Sequence, residues 1–174
     1  TIERNQESAG QQYAGRQEAA GPVVQAALRR HGARRDALVQ ILREVQAQTR
    51  WLSRDTLGAI AAGVGLTPAI VQGVASFYRF FHLQPVARHH LLWSDNVTDR
   101  MLGSRMLAQE LCRLLGIVAG VHRADAPASV DFASCIGLAD QGPALMVDQH
   151  RALTRMDAAL AGDVEHFHDL WRVV

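Results

Sequence analysis

The feature that constrains this chain most is a change of hydrophobic period at "HLQP", residues 82–85. Before it, apolar residues recur at helical spacing; after it, they come in short runs bounded by glycine, proline and aspartate. A 3.6-residue period buries one stripe of a helix, whereas a short continuous run suits a strand covered on both faces. Proline cannot continue a helix, so Pro85 separates a helical part from a mixed part.

Upstream of the break, Pro22 to Arg30 predicts a short helix ended by Gly32. Asp36 reads as the N-cap of the next helix, in which Leu38, Ile41, Leu42 and Val45 recur at i, i+3, i+4 and i+7. Ser53 caps a helix carrying Leu57 and Ile60 that stops in the "GVG" of residues 63–65. Thr67 as N-cap and Pro68 at the first helical position start a further helix, predicted to run to about Phe80. Residues 1–21 are polar, small and weakly periodic, which reads as a loose arm.

Downstream, "HHLLW" (89–93) predicts a buried strand, and "SDNVTDRMLG" (94–103) a loop. A helix follows with Leu107, Leu111, Leu114 and Leu115 on one face, closed by Gly116. "VDFAS" (130–134) and "ALMVD" (144–148) read as two strands, Gln149–His150 as a tight turn, and Arg151–Leu153 as a return strand. Thr154 with Asp157 resembles a capping box that opens a last helix. The expected architecture is α+β: a three-to-four-helix bundle over 22–85, then an α/β layer over 86–174.

Composition narrows function mainly by exclusion. The 174 residues are 48% hydrophobic, enough for one or two compact cores. Eighteen Lys and Arg against 17 Asp and Glu give a net charge of +1, no footprint for wrapping nucleic acid or an anionic membrane. Only Cys112 and Cys135 are present, so there is no disulfide framework. With no long apolar run and no signal-peptide pattern, the expectation is a cytoplasmic protein; the opening Thr1 leaves processing and a longer parent chain both open.

Residue patterns that carry chemistry elsewhere have bland readings here. The glycine turn between the Leu57 and Val71 helices resembles a DNA-reading helix-turn-helix, yet Pro68 to Tyr78 offers only Gln72 and Ser76 as polar groups, which favours a buried helical hairpin. Phe77, Tyr78, Phe80 and Phe81 cover more than one helix face, which reads as core packing with part left for docking. His89 and His90 diverge on a strand, and His166 and His168 diverge on a helix, so no metal site is expected from them. No phosphate loop, Cys-x-x-Cys pair or nucleophile elbow occurs.

Two stretches add more. "GVASFYRFFHLQP" (73–85) and "SCIGLADQGPALMVD" (134–148), with the helical lead-in from Asp36, resemble the thioredoxin-like [2Fe–2S] ferredoxin family over residues 36–160. Its members include the small flavoprotein-fragment subunit of respiratory complex I and counterparts in NAD-reducing hydrogenases and formate dehydrogenases. The resemblance implies a thioredoxin-like domain whose cluster is held by a Cys-x4-Cys pair after the first strand and a Cys-x3-Cys pair in a later loop. With Gly103 anchoring the first pair, the four ligand positions fall on Ser94, Asp99, Cys135 and Ala139. Three of the four thiolates are absent. A [2Fe–2S] centre is held by four thiolates, or by two with two histidines. The expectation is therefore a module with no cofactor, catalytic residue or metal of its own.

"CIGLADQGPA" is similar to the cluster-less N-terminal region of the flavin-bearing diaphorase subunit of soluble NAD-reducing [NiFe] hydrogenases. That likeness implies a non-catalytic docking module of an NAD(H)-linked oxidoreductase. Its implied partners are a flavin- and NAD-binding diaphorase subunit and other iron–sulfur and hydrogenase subunits, which carry FMN, NAD and clusters. The expected contact elements are the aromatic helix end, with Phe77, Tyr78, Phe80 and Phe81, and the two loops, 94–99 and 135–141, with Asp140 and Gln141 in the second. The alternative is an electron-transfer subunit of a formate dehydrogenase or complex I relative, with an atypical site using Cys135.

Overall fold

The computed structural model describes residues 20–155, apart from Ala124 and His150. The arm up to residue 19, the helix expected after Thr154, and His166 and His168 lie outside the described residues. Contacts divide the chain into two compact units, Thr1–Val86 and Ala87–Val174.

The first unit holds α1 (Ala20–Arg30), α2 (Leu38–Thr49), α3 (Arg54–Val64) and α4 (Pro68–Phe77). Their apolar stripes meet in one core in which Ile41, Leu42, Val45, Ile60, Val71 and Ala75 are shut off from solvent. The polar start signals act as the sequence implies: Ser53 Oγ accepts from the Thr56 N–H at 3.1 Å, and Thr67 Oγ1 from the Ile70 N–H at 3.4 Å. At Gly63 a Cβ would stand 2.3 Å from Leu28 Cδ1, so glycine lets α3 close on α1.

Two local structures differ from those the sequence pattern predicts. Asp36 caps nothing; it lies in a 3₁₀ turn (Arg35–Ala37) and its carboxylate pairs with Arg34, which outcompetes the helix N–H groups. Helix α4 stops at Phe77 rather than Phe80, because Tyr78 turns extended (φ −92°, ψ 118°). Buried Gln46 explains the stop. Its Nε2 donates to the Phe80 carbonyl at 2.8 Å and its Oε1 accepts from the His82 N–H at 2.7 Å. Both ends of one amide are thereby satisfied by a non-helical turn, which tucks Phe81 into the helical core.

The second unit is a four-stranded sheet in the order β2-β1-β3-β4, with β1 (His89–Ser94), β2 (Ala128–Ala133), β3 (Leu145–Val147) and β4 (Arg151–Leu153). Strand β1 is central and buried throughout, parallel to β2 and antiparallel to β3. Residues 94–103, read as a loop, contain a short helix α5 (Val97–Met101), because Asn96 caps it by accepting from the Asp99 N–H at 2.9 Å. Helix α6 (Ser104–Leu115) lays Leu107, Ala108, Leu111 and Cys112 on Leu91, Trp93, Val130 and Leu145. Gly116, at φ +63°, ends it. The turn after β3 is left-handed at Asp148 and Gln149, one residue earlier than the sequence suggests. Among the described residues no single helix is long and apolar enough to cross a membrane.

Candidate functional site

Parallel neighbours deliver their C-terminal ends to the same side of a sheet, and Ser94 pairs with Ala133 as the last residues of β1 and β2. The two loops singled out by the sequence leave from there. They are tied at the root: the Asp95 N–H donates to the Ala133 carbonyl at 2.8 Å and the Ser94 N–H to the Ala144 carbonyl at 2.9 Å.

Within the first loop, Ser94 and Asp99 are both fully buried. Asn96 joins them, its Nδ2 donating to Ser94 Oγ at 3.3 Å and to Asp99 Oδ2. Asp99 Oδ1 has no hydrogen-bond partner and presses on Gly142, where a Cβ would lie 1.8 Å away. The Asp99 side chain thus spans from the first loop to the second. Cys135 and Ala139, by contrast, are exposed. The Cys135 sulfur accepts from the Gly137 N–H at 3.2 Å, within its own loop. Ala139, Asp140 and Gln141 form a 3₁₀ turn in which Asp140 is exposed and the Gln141 carbonyl accepts from the Arg155 N–H at 2.8 Å.

A second charged arrangement flanks the first loop. Asp95 receives two hydrogen bonds each from Arg100 and Arg105, at 2.6–3.0 Å, and Arg105 also lies over the Phe132 ring at 5.1 Å. These bonds, Arg105's first, hold the Asp95 carboxyl well below the usual carboxylate range. Sequence reasoning missed Asn96, Gly142 and the Asp95 pair of arginines. Only Asn96 carried a local signal, an Asx cap three residues before an acidic residue.

The aromatic residues of the helical unit divide by exposure. Phe77 is 78% exposed, Tyr78 and Phe80 are half-buried, and Phe81 is buried in the core of its own unit. Their rings meet edge-on or tilted, with centroids 4.6–6.0 Å apart. Only Phe77 offers most of a ring to a partner.

At the other end of β1, His90 Nε2 and His122 Nε2 both lie 2.8 Å from Asp131 Oδ2, and His89 Nδ1 lies 2.8 Å from Asp148 Oδ2. The adjacent histidines engage different carboxylates. Burial pushes the Asp131 carboxyl up, but the His90 hydrogen bond and the charges of His122 and His90 outweigh it and hold it below its ordinary value. A carboxyl depressed by folding contributes stability above its unfolded value, lost as pH falls through the folded one. Asp95 and Asp131 both act in that direction, so unfolding free energy should fall as pH drops below about 4. Urea titrations between pH 5 and pH 2 test this; Asp131→Asn should flatten the decline, and equal slopes in both proteins would contradict it.

A [2Fe–2S] cluster makes a definite demand on the donors of these loops. Such a cluster takes thiolates or imidazoles. At the four positions that the resemblance implies stand a hydrogen-bonded hydroxyl, a carboxyl wedged on Gly142, one surface thiol and a methyl group. These residues do not fit the cluster.

A mixed sheet with β1 parallel to β2, antiparallel β3 and β4, and α6 laid on its face defines a thioredoxin-like fold. The chain belongs to the thioredoxin-like [2Fe–2S] ferredoxin family, whose model matches residues 24–164. It is 32% identical over 134 residues to NADH-quinone oxidoreductase subunit 2 of Thermus thermophilus, covering 74% of each chain. It is also 32% identical over 141 residues to an NADH-quinone oxidoreductase subunit of Rhizobium meliloti, covering 79% of this chain and 84% of that one. Among solved structures it resembles a chain of an air-oxidized NAD⁺-reducing [NiFe]-hydrogenase with TM-score 0.64 and 29% identity over 79% of its length. It spans 23% of that hydrogenase chain.

Proposed function

We propose that this chain is a cluster-free, non-catalytic docking module of a cytoplasmic NAD(H)-linked multisubunit oxidoreductase, namely the diaphorase part of an NAD-reducing hydrogenase. The observation that carries the reading is the wedge of Asp99 on Gly142. It joins the loops with the protein's own atoms, where the family uses metal and sulfur. Likeness to the hydrogenase chain at 29% identity, and to NADH-quinone oxidoreductase subunits at 32%, supports the NAD(H)-linked setting. In this reading FMN, the NAD site and the iron–sulfur clusters belong to partner subunits or domains, and electrons bypass this module.

The helical unit and the thioredoxin-like unit together would stabilise the assembly. Contact is assigned to Phe77 with its half-buried neighbours Tyr78 and Phe80, and to Asp140 and Gln141 in the second loop; Phe81, expected among them, packs in the helical core instead. Cys135→Ala in the whole native assembly tests the reading against an electron-transfer role through that thiol. NADH-linked turnover should stay within about twofold of the parent, since losing an exposed thiol costs little stability. A drop of about a hundredfold would assign Cys135 to the electron path instead.

A further inference from the structure

Four apolar side chains beside the first loop face solvent: Val97 (75% exposed), Met101 (84%), Leu102 (53%) and Met106 (73%). They follow one another along α5 and the start of α6. A run of this kind on a soluble surface marks a contact face. Methionine supplies adaptable, polarisable contacts at such faces.

The charges beside it say what the contact takes. Arg100 and Arg105 each spend Nε and Nη2 on the single carboxylate of Asp95, which leaves both Nη1 edges uncommitted to it. Their side chains remain 55% and 53% exposed. Two guanidinium groups on one carboxylate carry a surplus positive charge, and the shared anchor fixes both forks in advance. A cavity of about 310 Å³ opens beside them, lined in part by Arg105, Gln109, Ile117, Val118 and Phe132. It has room for an apolar anchor side chain of a partner.

Resting on the docking role above, we propose that the α5–α6 surface is the main docking face. It receives an acidic surface of the flavin-bearing partner that presents a carboxylate to Arg100 and Arg105 and apolar side chains to Met101, Leu102 and Met106. Carboxylates at the arginine pair set orientation and salt dependence, while the methionines are desolvated. Sequence reasoning placed contact at 77–81 and in both loops, 94–99 and 135–141; this face starts within the first of these loops and continues along α5 into α6.

Methionine oxidation by dilute hydrogen peroxide, read by mass spectrometry, tests the proposal in the native assembly and in the isolated full chain. Met101 and Met106 should oxidise readily in the isolated chain and at least about tenfold more slowly in the assembly, because burial shields the thioether. Met101→Glu/Met106→Glu alters only exposed side chains and should leave the circular dichroism unchanged. It should lower retention of the module in the assembly by about tenfold or more, because it sets carboxylates against carboxylates. Retention with NAD-linked subunits but unprotected methionines would overturn this face and spare the docking role. Co-purification with no oxidoreductase subunit would overturn both. Protection already present in the isolated chain would also overturn it: it would assign the face to a second copy if it rose with concentration. If it vanished on truncation after Arg155, it would assign the face to residues 156–174, which carry four carboxylates against one arginine.

Discussion

Replacing Trp93 with alanine is expected to lower the unfolding free energy of the sheet unit by about 3–5 kcal/mol, the usual cost of emptying a buried tryptophan site. Trp93 has no exposed surface and stands one residue before the first loop. It pairs with Phe132 on β2 and Leu145 on β3, in the core that α6 covers. Truncation would remove the side chain on which the root of both loops is built. Trp93→Phe separates packing from polarity, because the indole Nε1 has no hydrogen-bond partner. No bond is forfeited, so phenylalanine should cost less than about 1.5 kcal/mol. Hydrogen exchange of the β1 and β2 amides under native conditions gives both values for this unit alone. If phenylalanine proved as costly as alanine, the packing account of this position would fail.

Gly142→Ala should cost about 1–3 kcal/mol, the range for forcing an added methyl group into a filled site. The backbone there, φ −67° and ψ 162°, accommodates alanine, so the whole effect is steric. The new Cβ would meet Asp99 Oδ1 at 1.8 Å and Cγ at 3.0 Å, and Asp99 is buried and bonded through Asn96. That carboxyl cannot swing away without breaking the bond it accepts from Asn96 Nδ2. In an Asp99→Ala background the same glycine substitution should become nearly neutral, giving a coupling on the order of 1 kcal/mol or more. Additive effects of the two substitutions, measured by urea unfolding, would show that the loops are not wedged together.

What could be read from the sequence follows the range of the interactions involved. Ser53, Thr67 and Pro68 act within four residues of themselves, and the Leu107–Leu111 stripe needs only helical geometry, so these were legible. Asp36 misled because Arg34 lies close enough to take its carboxylate, a competition that spacing does not rank. The Gln46 clamp that ends α4 joins residues 34 and 36 positions apart, and nothing in a helical pattern marks such a glutamine. That Ser94, Asp99, Cys135 and Ala139 stand at ligand positions is implied only by the resemblance. Their unequal fates, Ser94 and Asp99 buried and Cys135 and Ala139 at the surface, depend on the fold bringing Gly142 against α5. The arginine pair on Asp95 was hidden for the same reason: five and ten residues separate the partners, and a turn between two helices closes the gap.

The proposed function rests on a chain that holds no iron or sulfide of its own. Iron and acid-labile sulfide should be quantified on the full chain purified without oxygen from its native host, alongside a reduced low-temperature paramagnetic resonance spectrum. Neither element should rise above background, and no signal should appear. Two irons and two sulfides per chain, with a rhombic reduced signal abolished by Cys135→Ala, would contradict the cluster-free reading.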